Sequence, residues 1–321
     1  MKKNQSFHRI LKCIKPALPK AAKTTIWLLK ITIPVTFFVL VLNYTGWLAQ
    51  ISGGLQPFFS LLGLPAESAF VLITSMLTNI YSVIAVISTL GIPVREATIL
   101  AIMSLIAHGF IIESAIIKKS GSSVFRMLTI RVIFSLIAGL FLNAILPHGE
   151  VLVQKEIVSS SQSFLLVLKN WVIDMFFLGL KIISLVSILF IFQNILEEFG
   201  VIAWISRIMR PLLRILGLPE STSVSLIVVN TIGLAYGAAV VLDQLDKNKM
   251  NKKDADLLNH HAVISHSQIE DPLLFLALGI TIHWLIWPRI ILAILVVWLR
   301  KLELKLEKSR KGKVHLAYGS V

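Results

Sequence analysis

From Thr25 to Trp47 the chain is apolar almost without interruption. A transmembrane helix needs about 20 such residues to cross the hydrocarbon core. Comparable stretches recur near 66–90, 95–118, 123–146, 164–198, 220–242 and from 282 to 300. In lipid every backbone polar group needs a partner within the protein, so spanning segments are expected to be helices. The runs are too continuous for the ~10-residue alternating strands of a membrane barrel. Composition agrees: 56% of the residues are hydrophobic, against roughly 45–50% in soluble domains, and the mean hydropathy is +0.82. The expected fold class is an all-α polytopic membrane protein.

The formal net charge is +14. The basic residues sit in the two tails and in a few loops, where they set topology and touch anionic lipid. Nucleic acid is not expected as a partner, since no recognition module or aromatic-basic interleaving is present. The single cysteine, Cys13, excludes an internal disulfide and any multi-cysteine metal site. The run from Thr25 exceeds a signal-peptide core of about 7–15 residues and lacks a convincing cleavage site. It reads as an uncleaved first span with the N-terminus in the cytoplasm.

Along the chain, residues 1–24 form a basic segment expected to lie on the membrane surface. Residues 25–146 form a first membrane unit, 147–178 a connector with the start of a long helix, 179–300 a second unit, and 301–321 a basic, solvated tail. A short helix near 55–62 precedes Gly63-Leu64-Pro65. Single helices are expected over 66–90, 95–118, 123–146 and 254–280, the last with a break offered by Pro272.

Gly63-Leu64-Pro65 returns as Gly217-Leu218-Pro219, 154 residues on. At the same spacing Gly46 matches Gly200, Pro57 matches Pro211 and Leu62 matches Leu216. After a four-residue insertion the spacing becomes 158, and His108 matches His266, Glu113 matches Asp271 and Arg131 matches Arg289. Internal duplication is a construction rule of many secondary transporters. If each Gly-Leu-Pro helix dips in and returns, the basic segments 118–126, 207–214 and 243–256 and both tails share the cytoplasmic side, which satisfies the positive-inside rule. Full crossing instead puts Lys118 and Lys119 outside. The re-entrant arrangement makes the repeat an inverted one.

At Gly63-Leu64-Pro65 and its echo the chain resembles the Gate, or nucleoside recognition, family. That family takes in spore maturation membrane proteins and the membrane part of ferrous-iron transporters of the FeoB type. The resemblance covers roughly 25–300 and implies recognition of a nucleoside or another small solute. No Walker motif precedes the membrane region, and Met76–Thr78 stand where iron-transporting relatives carry a cysteine. Both departures count against ferrous-iron transport.

Ionisable residues within a membrane are costly and face a cavity or a partner. On a continuous helix 254–280, Asn259, His266 and Glu270 share one face and Gln268 is among the residues that fill the rest of the surface, which marks these four as candidates for binding a solute or an ion. Thr78, Asn79, Asn230 and Thr231 fall mid-helix, where opened backbone would expose carbonyls to a polar solute. Glu113 and Arg131 flank a turn at similar distances and are expected to pair. Asp271 and Arg289 repeat that spacing, and the two pairs read as gate or structural ion pairs. His266 and Glu270 lack a His-Glu-x-x-His frame, so no metal site or cofactor is read. No enzymatic activity is expected. The function expected is an inner-membrane permease for a small polar solute, with both termini cytoplasmic and with a membrane-protein partner or a second copy as company. The alternative is a non-transporting membrane scaffold.

Overall fold

A computed structural model describes residues 2–147, 163–231 and 233–318. The serine-rich part of the expected connector, 148–162, lies outside the described residues. No strand occurs among them. Among the described residues four segments are long and apolar enough to cross a membrane: Leu11–Tyr44, Val94–Lys119, Val124–Ile145 and Phe164–Phe192.

Helix α1 (Lys2–Tyr44) joins the basic segment and the first span without a break, and holds Pro16, Pro19 and Pro34. It packs along α9 (Phe164–Glu198), where Phe37 meets Trp171 with ring centroids 5.5 Å apart. Between these come α2 (Trp47–Gly53), α3 (Gln56–Leu61), α4 (Ser68–Leu77), α5 (Ile80–Leu90), α6 (Val94–Ile106), α7 (Phe110–Lys119) and α8 (Val124–Ile145). After α9 follow α10 (Val201–Leu216), α11 (Ser223–Thr231), α12 (Leu234–Asp246), α13 (Lys252–Ser265), α14 (Glu270–Leu274) and α15 (His283–Tyr318). The C-terminal tail is therefore a continuation of the last helix, not a separate segment.

The Gly-Leu-Pro motif is a helix stop. Gly63 has φ +65° and Gly217 φ +71°, the left-handed conformation that glycine adopts without a Cβ penalty. The Gly63 amide donates to Ser60 O at 3.0 Å and the Leu64 amide to Phe59 O at 3.0 Å; Gly217 donates to Arg214 O at 3.2 Å and Leu218 to Leu213 O at 2.8 Å. These paired bonds are the Schellman closure, and the proline that follows prevents the helix from resuming.

α8 shows how the helices divide their surfaces. Ile133, Ile137, Leu140, Phe141 and Ile145 face outward, while Met127, Arg131, Ser135, Ala138 and Leu142 are buried. Residues three and four apart share a face, so one stripe meets lipid and the other the interior. Phe125, 82% exposed, and Leu165, 79% exposed, are side chains that water would disfavour and hydrocarbon does not. α6 is apolar nearly all round and is buried from Ala97 to Ala107. α13 is buried from Leu257 onward. These two helices form the centre.

The two Gly-Leu-Pro turns lie at opposite ends of α8. Next to Gly63, Asn143 near the C-terminus of α8 donates to Leu61 O at 3.2 Å and accepts from Arg95 at 2.8 Å. Just after Gly217, Ser221 donates to Asp254 at 2.7 Å. Two residues on, Asp256 accepts from Ser122, just before α8, at 2.8 Å. The 22 residues of α8 span about 33 Å at 1.5 Å per residue, close to a bilayer core.

Candidate functional site

Among the described residues, four helix interruptions lie on the central helices α6 and α13 and on α4 and α11, which pack against them. α4 stops at Thr78, and Asn79 restarts α5 as its N-cap, its side-chain oxygen accepting from the Ser82 amide at 3.0 Å. α6 stops before Ala107-His108-Gly109. α11 stops at Thr231, before Gly233. α13 stops at Ser265, and His266 to Ile269 separate it from α14. The helices that the sequence predicts over 66–90, 95–118 and 254–280 are therefore each broken. The last breaks at His266, not at Pro272, which sits harmlessly in the first turn of α14.

The interruptions are stitched to one another. The Gly109 amide donates to Ser75 O at 2.9 Å and the Ser267 amide to Val229 O at 3.0 Å. Gly109 has φ +58° and Ser267 φ +47°. Arg131, fully buried, donates through Nε to Ile106 O at 2.7 Å and through Nη2 to His108 O at 2.5 Å. Arg289, also fully buried, donates through Nε to Ile264 O at 3.0 Å and through Nη2 to His266 O. The orphan carbonyls that end α6 and α13 thus each receive a guanidinium, which is what lets a helix stop inside the protein. Every one of these bonds has a counterpart at the spacings found in the sequence.

At the midpoint the two histidines meet. His108 Nδ1 lies 3.0 Å from Ser104 O and His266 Nδ1 2.8 Å from Ala262 O. Their Nε2 atoms face each other at 3.2 Å, with ring centroids 4.9 Å apart. Glu113 Oε1 is 3.1 Å from His108 Nε2 and 3.3 Å from His266 Nε2, and Asp271 Oδ2 is 3.9 Å from His108 Nε2. Glu113 turns its other oxygen to Arg131 Nη1 at 2.6 Å.

The matched pair does not close. Among the described residues no ion pair within 4.0 Å joins Asp271 to Arg289, whereas Glu113 and Arg131 approach to 2.6 Å. Aspartate is one methylene shorter than glutamate, and its carboxylate turns toward His108.

The other candidate residues divide. Thr78 and Thr231 return their hydroxyls to Thr74 O at 2.6 Å and Ile227 O at 2.7 Å. Asn230 donates to Leu226 O at 2.9 Å, and its Oδ1 is buried without a partner; Gln268 donates to Ser265 Oγ at 2.5 Å, and its Oε1 is likewise unpartnered. Asn259 lies elsewhere, donating to Ser120 and Ser122 at 2.7 and 2.9 Å at the α7–α8 turn. Glu270 meets Tyr81 at 3.4 Å. The shared face expected for Asn259, His266 and Glu270 is lost because the break at His266 resets the 100° helical phase. The metal-ligand set that local spacing did not offer is assembled across the halves, where His108, Glu113 and His266 bring donor atoms within 4.8 Å of one another. His108 carried a usable signal, its match to His266, and Tyr81 carried none.

The Gate family profile, described as nucleoside recognition, matches residues 25–123 and 179–268. An "Uncharacterized membrane protein YvoD" of Bacillus subtilis (strain 168) is 31% identical over 280 residues, covering 85% of this chain and 89% of the relative. No solved structure matches the chain. Two matched segments that together span more than half of the sequence, and a membrane relative aligned almost end to end, place this protein in the Gate (nucleoside recognition) family of membrane proteins.

Proposed function

We propose that the chain is a carrier for a small polar solute of nucleoside-like size and polarity, built from two inverted repeats. The observation that carries this reading is that four helix interruptions meet in two pairs, Gly109 bonded to Ser75 and Ser267 to Val229, and that the pairs join at the buried His108 and His266. Irregular backbone at membrane depth is tolerated only where protein buries it or a cavity receives it. Broken helices related by an internal duplication are how secondary transporters build a midplane site. The inverted arrangement is supported by the Gly63 and Gly217 turns sitting at opposite ends of α8. Asn230 Oδ1 and Gln268 Oε1, buried acceptors without partners, are the atoms offered to the solute, and Thr78, Asn79 and Thr231 line the same breaks. Orientation follows the charges, with the 118–126 turn, the 243–256 loop and both tails in the cytoplasm.

The test combines a thermal-shift panel of nucleosides, nucleobases, amino acids and cations with uptake into proteoliposomes. A ligand that binds only the folded protein raises the melting temperature. At least one solute should stabilise the wild type and be accumulated, and Asn230→Ala or Gln268→Ala should reduce both effects. A panel with neither stabilisation nor uptake, in protein that melts cooperatively, would overturn the carrier reading in favour of a membrane scaffold.

A further inference from the structure

We infer that His108, His266 and Glu113 form a binding site for one divalent transition-metal ion that joins the two halves of the molecule. The tautomers come first. Each Nδ1 lies on a backbone carbonyl, at 3.0 Å from Ser104 O and 2.8 Å from Ala262 O. A carbonyl only accepts, so each Nδ1 carries the ring hydrogen, and in the neutral ring each Nε2 presents a lone pair. Those lone pairs face each other at 3.2 Å. Glu113 Oε1, a third acceptor, stands 3.1 and 3.3 Å from them. Three acceptors converging at such distances need a positive charge among them.

The triangle has the size of a coordination face. A tetrahedral centre with metal–nitrogen bonds of about 2.0–2.1 Å separates its ligands by about 3.3–3.4 Å. The three edges here are 3.1, 3.2 and 3.3 Å. A single proton shared by the two rings would satisfy one edge of the triangle and leave the other two repulsive. Asp271 Oδ2, 3.9 Å from His108 Nε2, is placed to complete the set directly or through water.

The outer contacts are those of a metal site. Each imidazole is oriented through Nδ1 by a carbonyl, and the glutamate by Arg131 at 2.6 Å; such partners hold ligand geometry and raise ligand basicity. Two imidazoles with one or two carboxylates suit zinc, manganese, iron(II) or cobalt, not magnesium or calcium, which prefer all-oxygen sets. The Arg131 guanidinium offsets the Glu113 carboxylate, so the site binds a dication reversibly. The His108 and His266 ligands leave the ends of α6 and α13, and an ion between them staples one repeat to the other. This inference stands apart from the carrier reading, because binding at equilibrium needs no flux.

The test uses the full chain without a polyhistidine tag, stripped with a chelator and reloaded with zinc, cobalt or magnesium chloride. Elemental analysis should find about one zinc per chain. Cobalt-loaded wild type should show the visible bands of a four-coordinate nitrogen–oxygen site, a readout that needs no variant. His266→Gln should weaken zinc binding by about 100-fold or more, beyond what loss of an outer contact gives. If that variant fails to fold, Asp271→Asn provides the milder change and should alter the cobalt spectrum. Zinc bound equally well by a His108→Gln, His266→Gln double variant would overturn the proposal. So would zinc retention no greater than that of magnesium, or wild type that binds neither zinc nor cobalt.

Discussion

Replacing Arg131 by methionine should destabilise the protein more than replacing Arg289 by methionine, although the two guanidiniums sit in matched surroundings. Both are fully buried, and both donate to two carbonyls at the end of a central helix. Stripping either leaves two buried carbonyls unpaired, at about 1–3 kcal/mol each, so roughly 2–6 kcal/mol is common to the two variants. Arg131 has one thing more, its contact with Glu113 at 2.6 Å. Removing one partner of a buried pair costs about 3–5 kcal/mol because the other charge is left uncompensated. Taking the lower end of that range, the expected difference between the variants is about 3 kcal/mol. The assay is equilibrium unfolding in mixed micelles, with each variant measured against wild type. A built-in control follows from the same reasoning: adding Glu113→Gln to Arg131→Met removes the stranded charge and should recover most of the difference. Equal losses for the two methionine variants, or a double variant no better than Arg131→Met, would refute the reasoning.

Further expectations concern packing, pH and topology. A Cβ on Gly237 would come within 2.2 Å of Val229 Cγ2 and 2.9 Å of the Val229 backbone, so Gly237→Ala should lower stability by roughly 1–3 kcal/mol as overpacking does. Gly53→Ala, with nothing within 4 Å, should be tolerated in the same thermal assay. Beyond the last apolar stretch, the hydrogen bond from Arg126 holds the Glu303 carboxyl down to about 2. A depressed acid contributes stability above its ordinary range and loses it as pH falls. The melting temperatures of wild type and Glu303→Gln should therefore differ at neutral pH and converge between about pH 4.5 and 2. The gap should be small, since a half-exposed pair is worth roughly 0.2–1 kcal/mol. Cys13 is the single cysteine, so Cys13→Ala gives a thiol-free background. In it, Leu55→Cys and Lys249→Cys should react with an impermeant thiol reagent from opposite sides of oriented vesicles; labelling from one side would rule out inverted repeats.

Much of this architecture can be read from residue order, because the forces that set it are local or depend on solvent alone. Apolar runs longer than a bilayer demand helices. The extent of α8 follows from Ser123, whose side chain caps the Arg126 amide at 3.4 Å, and from Pro147 beyond its end. Gly-Leu-Pro marks a helix stop twice, since only glycine turns left-handed without penalty and proline cannot resume a helix. The matching of His108 with His266 and of Arg131 with Arg289 is equally visible in the sequence. The breaks are different. Ala107 to Gly109 and His266 to Ile269 lie in sequence that a helix would accept, and they stay open because guanidiniums from α8 and α15 and carbonyls from α4 and α11 take up their backbone groups. Those partners stand far off in the chain, so no window of neighbouring residues reveals them. Once a helix breaks, its periodicity stops predicting faces, which is why Asn259, His266 and Glu270 part company. The meeting of two imidazoles and a carboxylate 3.1–3.3 Å apart is likewise a product of packing between the halves, where a shift of one helical turn would separate residues that the sequence can only place in register.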